Sequence, residues 1–234
     1  MSAATIREMT ADDVAPAADV VRRGEFGERE DFFRWSVGRP TIRPFVAVVD
    51  GEIVGTATAS VHGPVGWVGV IFVAPAWRGA GVGRRLTRTV VDELEAAGCR
   101  SIVLIASSMG RPIYEREGFA IIDRQVRFTA DGIAPGNVTD TEPAAAIDDG
   151  VRPFTEADRS AVHELDRWGT GEDRTAVLAD LVDPASTLVA VRRDGLVEGY
   201  LARSPWRGGA LIARDPETAL RLLERRRRAT GSSG

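Results

Sequence analysis

Arg78, Gly79, Gly81 and Gly83 stand between an apolar run, Val70 to Val73, and apolar residues at helical spacing: Leu86, Val90, Val91 and Leu94. The apolar run reads as a buried strand. Ala74-Pro75 closes it, because proline cannot continue a central strand. A strand, a glycine-rich turn and a helix start therefore follow one another. Backbone N–H groups at such a turn, together with the positive end of the helix, bind a phosphate or pyrophosphate. Glycine suits the turn because a Cβ would block close approach and because some positions need positive φ.

Two rival phosphate loops are excluded. A P-loop needs lysine after its last glycine, and this chain contains no lysine. The dinucleotide fingerprint G-x-G-x-x-G fails because the glycines fall as G-x-G-x-G, with Leu86 where the third is required. A loose turn at a helix N-terminus is the plain alternative. The arginine three residues before Gly81, with Gly83 following, argues against it.

Arg78-Gly79-Ala80-Gly81-Val82-Gly83 resembles the R-x-x-G-x-G/A pyrophosphate loop of the GNAT acetyltransferase superfamily. A second block, Gly110 to Phe119 with Tyr114, Gly118 and Phe119, resembles the segment that follows that superfamily's fifth strand. The resemblance spans about residues 4–128. The whole chain looks like bacterial two-domain members with a divergent C-terminal acetyltransferase-like domain.

The resemblance implies transfer of an acetyl group from acetyl-CoA to an amine. It implies that Arg78, Gly79, Ala80, Gly81, Val82 and Gly83 hold the pyrophosphate. Ile71, Phe72 and Val73 would offer strand backbone to the pantetheine arm between splayed fourth and fifth strands, and an N–H near Ile71 or Phe72 would polarise the thioester. Ser107 takes the place of an asparagine that contacts the arm in many members. Tyr114 takes the place of the tyrosine that protonates the departing thiolate. A phenol with a reference pKa near 10 starts protonated and can donate.

Other features depart from the family pattern. Trp67-Val68-Gly69-Val70 offers no strand-four carboxylate as general base. His62, Glu25, Glu28, Glu30, Asp31 or water would have to remove the amine proton. His62 near a strand end could be that base, a solvated loop histidine being the plainer alternative, and His163 reads as structural. Phe32, Phe33 and Trp35 fall where family members line the acceptor cleft, and core packing explains them equally well. The acidic residues would suit a cationic amine by attraction, and a solvated helix face explains them equally.

These residues need a scaffold. A strand at Thr5 to Met9 is followed by a helix to Arg23, capped by Thr10. A short helix, Glu28 to Trp35, is broken by Gly38, Pro40 and Pro44. Phe45–Val49 and Ile53–Ser60 form a hairpin around Asp50-Gly51, and Gly66–Val73 continues the meander. Helix 82–97 leads to a parallel strand, Ser101–Ala106, then a short helix, Met109–Arg116, and a returning strand, Phe119–Phe128. The fold class is α+β, a GNAT-like mixed sheet of an antiparallel meander plus a parallel splayed pair.

Residues 1–130 read as the coenzyme-binding domain, 131–150 as a Pro/Gly/Ala-rich linker, and 151–234 as a second, incomplete copy. Val151-Arg152, Thr155 and Asp158 echo Ile6-Arg7, Thr10 and Asp13 at an offset of 145. Leu188 to Val191, Asp194-Gly195 and Gly199 echo Phe45 to Val48, Asp50-Gly51 and Gly55. Ala210–Ala213 would be its fourth strand and Pro216–Arg228 its helix. Arg214-Asp215 between them carries no glycine loop, so this copy is expected to bind no coenzyme. Its open sheet edge would be covered by the first domain or by a partner subunit, as in a homodimer, or left bare.

A composition of 44% hydrophobic and 27% charged residues is that of a soluble globular protein. The single cysteine, Cys99, excludes an internal disulfide framework and fits the cytoplasm. The net charge of −4 argues against nucleic acid, and no apolar run reaches membrane-spanning length. The basic run Arg225–Arg228 reads as a helix C-terminus. No metal is expected. A small-molecule amine is the leading acceptor. A protein N-terminus or lysine, and a non-catalytic acyl-CoA sensor, are the alternatives.

Overall fold

A computed structural model describes residues 3–125, 150–204 and 209–230 of the chain. They divide into two compact units, with the boundary at Gln125.

The first unit is a five-stranded mixed sheet with strands in sequence order. Its elements are β1 (Thr5–Glu8), α1 (Val14–Arg23), α2 (Glu30–Ser36), β2 (Ile42–Val49), β3 (Glu52–His62), β4 (Val65–Val73), α3 (Val82–Ala96), β5 (Ser101–Leu104) and α4 (Arg111–Arg116). The first four strands are antiparallel neighbours. The crossover through α3 makes β5 parallel to β4, as a strand–helix–strand connection requires.

Helical periodicity sets which faces are buried. On α3, Val82, Leu86, Val90, Val91 and Leu94 form a stripe that packs on one face of the sheet with Phe45, Ala47, Ala57 and Val68. On α1, Val14, Ala17, Ala18 and Val21 pack with Phe33, Val46 and Phe72 on the other. A tight turn leads into α1. The Asp13 carboxylate accepts the Thr10 N–H and hydroxyl at 2.8 Å each. The Arg7 guanidinium grips the same carboxylate at 2.6 and 2.8 Å, which holds its pKa well below the usual range.

The second unit is an antiparallel sheet of β6 (Val151–Pro153), β7 (Thr187–Val191), β8 (Val197–Arg203) and β9 (Gly209–Ala213). Helices α5 (Arg159–Thr170) and α6 (Thr175–Leu181) lie between β6 and β7, and α7 (Pro216–Thr230) follows β9. The bonds at its start repeat those of the first unit. Asp158 accepts the Thr155 N–H and hydroxyl at 2.8 Å each and the Arg152 fork at 2.7 Å twice.

Several expectations change. Residues 119–125 form no strand, and 126–128 lie outside the described residues. Ile121 and Ile122 are 58% and 85% exposed there, so a strand would have no apolar face to bury. Pro44 lies inside β2 rather than before it. Its carbonyl accepts the Met9 N–H, so its missing donor faces the side where β1 pairing has ended at Glu8. His62, expected near a strand end, is the last residue of β3 and is buried rather than solvated, with 9% exposure. The expected linker falls, apart from Gly150, outside the described residues.

Candidate functional site

The parallel pairing of β4 with β5 runs only from Val65 opposite Ser101 to Val68 opposite Leu104. β4 continues through Gly69–Val73 with no described strand on that side. Ile71, Phe72 and Val73 thus lie on the stretch where the sheet opens.

The opening has a local cause. Between Thr56 opposite Phe72 and Thr58 opposite Gly69, β4 carries one residue more than β3. Within this bulge Val70 has φ +48°, a conformation strained for a β-branched side chain by about 1–3 kcal/mol. The buried Thr56 hydroxyl donates to the Val70 carbonyl at 3.0 Å, fixing that peptide and with it the direction of the next N–H, that of Ile71. Neither Thr56 nor the bulge was found by sequence reasoning. The usable signal was Gly69, because an isolated glycine in a strand marks a bulge.

Past β4, Gly79 and Gly81 have φ of +81° and +78°, with nothing within 4 Å of where a Cβ would sit. These glycines serve conformation rather than packing. Gly81 caps α3 without any side-chain hydrogen bond. The first bonded amide is that of Arg85, to the Gly81 carbonyl at 3.1 Å, so the N–H groups before it on α3 point outward. The first turn holds no acidic residue. Arg78 donates from Nε to the Val73 carbonyl at 3.1 Å and meets no carboxylate among the described residues. The helix dipole, free amides and this guanidinium together suit a doubly anionic group.

Helix α4 closes against this loop. A Cβ on Gly83 would lie 3.4 Å from Ile113 and 3.5 Å from Val73, so α4, α3 and the end of β4 meet there. Arg84 Nε pairs with the Glu117 carboxylate at 2.6 Å. Tyr114 is 9% exposed, and burial raises its pKa above the ordinary phenol value. Its ring packs edge-on to Phe119 at 6.2 Å and against Gly110, where a Cβ would meet it at 2.8 Å. Its hydroxyl makes no hydrogen bond among the described residues. In the turn before this helix the Ser107 hydroxyl accepts the Gly110 N–H at 3.1 Å.

The α1 face of the opening is the other half of the site. Phe72 lies under the α1–α2 loop, its ring 5.8 Å from that of Phe26. A Cβ on Gly69 would find only the Thr58 carbonyl, at 3.9 Å, so this part of β4 is uncovered. Glu25, Glu28, Glu30 and Asp31 are all exposed, and Glu30 pairs with Arg34. Phe33 is core, while Phe32 and Trp35 are half-buried beside it.

Residues 8–119 match the sequence model of the acetyltransferase (GNAT) family. This stretch is a GNAT acetyltransferase domain. The chain is 32% identical over 85 residues to glucosamine 6-phosphate N-acetyltransferase of Trypanosoma brucei brucei, a match covering 33% of this chain and 58% of that protein. It is 33% identical over 90 residues to an IAA acetyltransferase of Azospirillum brasilense, covering 36% and 59%. The chain thus spans less than two thirds of the length of these curated relatives. A structure from Pyrococcus horikoshii, described as a candidate acetyltransferase, matches 98% of this chain and 78% of its own at 19% identity with a TM-score of 0.68; this likeness concerns the fold. Among the described residues no helix is long and apolar enough to cross a membrane.

Proposed function

We propose that the chain is an acetyl-CoA-dependent N-acetyltransferase acting on a small-molecule amine. The observation that carries this is the adjacency of three parts: an α3 N-terminus without a side-chain cap and with glycines in left-handed conformation, a bulged β4 open on the β5 side, and a buried Tyr114 on the helix packed against both.

In this reading the amides from Val82 onward and Arg78 hold the pyrophosphate of the coenzyme. The backbone of Ile71–Val73 aligns the pantetheine arm. The Ile71 N–H, aimed by the Thr56–Val70 bond, stabilises the charge that develops on the thioester oxygen as the amine nitrogen forms its bond to the carbonyl carbon. Tyr114 gives its proton to the sulfur as the C–S bond breaks, and solvent reprotonates the phenolate. With no carboxylate from Trp67 to Val70, the amine enters as its free base and loses its second proton to water.

The remaining assignments belong to the same proposal. The second unit is a divergent, incomplete copy of the domain, supported by the recurring Arg–Thr–Asp turn. The protein is cytoplasmic, supported by its lone cysteine, half-buried with its thiol pKa raised by burial. The test is acetyl-CoA with an amine panel, following free thiol and acetylated product. Product from one or more small amines is expected. Tight coenzyme binding with no product from any amine, peptide N-termini included, would make the protein a sensor instead.

A further inference from the structure

Arg29 is half-buried in the loop that leads into α2. Its Nη1 donates to the Glu28 carbonyl at 2.7 Å, and its guanidinium carbon lies 5.5 Å from the centre of the Phe26 ring. Among the described residues it meets no carboxylate. Arg7, Arg43 and Arg84 of this unit, by contrast, each grip an acid. The carboxylates nearest in sequence do not turn toward Arg29. Glu30 pairs with Arg34, and Glu25, Glu28 and Asp31 stand in solvent.

A guanidinium partly stripped of water and left without a counter-ion is unfavourable unless something else supplies the charge. Desolvation lowers its pKa from the usual arginine value with no compensating partner. Its position says what could supply it. Arg29 stacks on Phe26, Phe26 lies on Phe72, and Phe72 belongs to the bulged stretch of β4 beside the uncovered Gly69. Nε and Nη2 remain for a ligand, in the planar fork that matches two oxygens of a carboxylate or a phosphate.

We propose that Arg29 is the anion-binding group of the acceptor site, so the acceptor is a small primary amine that also carries a carboxylate or phosphate. This rests on the acetyltransferase reading above, and it takes the loop's acids as the solvated face rather than as the group that attracts the amine.

The test uses pairs of amines that differ only in the anion: glucosamine 6-phosphate against glucosamine, and α-amino acids against their methyl esters. The pair with the larger anion effect tells phosphate from carboxylate. Arg29→Met keeps the stem on Phe26 and removes the charge. It should lower kcat/KM about 10- to 100-fold on the anionic member, the loss expected for a charged hydrogen bond. The loss should lie mainly in KM, with the uncharged member and the acetyl-CoA affinity unchanged, and Arg29→Lys should restore part of it. Equal use of both members by the wild-type protein, or an equal loss on both in Arg29→Met, would overturn the proposal. Calorimetric titration of the same amines into CoA-saturated protein separates it from the parent reading. Preference for the anionic members without turnover would overturn the acetyltransferase reading and leave Arg29 standing. Equal binding of both members would overturn Arg29 alone.

Discussion

The two units begin alike and part at the fourth strand. Both open on a forked Arg–Asp pair closed by a threonine. In both, the ladder between the second and third strands shifts at the same place, Ala47/Val48 and Ala190/Val191. In both, a glycine of the third strand lets a helix leucine approach, Leu86 on Gly55 and Leu222 on Gly199. Then β4 bulges at Val70 while β9 pairs with β8 without a shift. Thr56 follows Gly55 and pins the bulge. Tyr200 follows Gly199 and fills the core, donating to buried Asp166, which Arg174 also grips. The helix ends differ as well. The α3 N-terminus has no side-chain cap, whereas Asp215 accepts the Thr218 N–H at 2.8 Å and its hydroxyl at 2.9 Å before α7. One helix leaves its positive end without a side-chain cap, and the other satisfies it with its own carboxylate.

The two tyrosines give the widest separation. Tyr114→Phe should lower kcat by about 10²–10⁴-fold, the usual worth of a positioned acid, with acetyl-CoA affinity unchanged by calorimetry. Tyr200→Phe should leave kcat alone and destabilise the protein by about 1–3 kcal/mol, because Asp166 loses a buried donor. Unchanged turnover in Tyr114→Phe would remove the acid role.

At the helix ends, Gly81→Val forces a β-branched residue to φ +78° and should weaken acetyl-CoA binding about 10-fold or more, corresponding to strain of about 1–3 kcal/mol. Asp215→Ala should leave that affinity intact and lower stability by about 0.5–2 kcal/mol, the range for a lost cap. Equal effects on affinity would break the contrast between the two helices.

Thr56→Val keeps the shape and removes the bond to Val70. It should lower kcat about 5- to 10-fold, near the worth of one neutral hydrogen bond, leave coenzyme affinity within twofold, and be rescued by Thr56→Ser. A drop in affinity with kcat intact would show that the bond shapes the groove rather than the reacting centre.

The smallest effect tests what the units share. The Asp158 carboxyl is held at about 2, chiefly by the hydrogen bond from Arg152, against an ordinary 3.8. A depressed folded pKa means the contact contributes fully above about pH 4 and is lost as pH falls toward 2. Asp158→Asn should therefore be less stable than wild type at pH 7 by about 1–2 kcal/mol, with the gap closing below pH 4. Asp13→Asn should behave alike in the first unit. A gap that persists at pH 2 would assign the loss to packing.

Features written in residue type were legible in sequence. The Arg–Thr–Asp turn repeats at a fixed offset, and the glycine loop needs its glycines for backbone shape, so both show in the letters. The bulge does not, because Val70 to Val73 is a uniform apolar run whose pairing count depends on β3. Thr56 looks like an ordinary strand threonine until its partner is known. The lack of a counter-ion at Arg29 is a tertiary fact, since acidic neighbours in sequence turn elsewhere. The returning strand expected at 119–128 is absent over residues 119–125, where Ile121 and Ile122 stand in solvent.

The bulge also has a meaning in chain length. β4 spends three steps where β3 spends two, and β9 matches β8 step for step. A substitution changes side chains but not this count. An insertion or deletion of a single residue in the strand changes it. Such an event is the smallest genetic step that could turn an evenly paired strand of the second kind into a bulged one of the first, or the reverse.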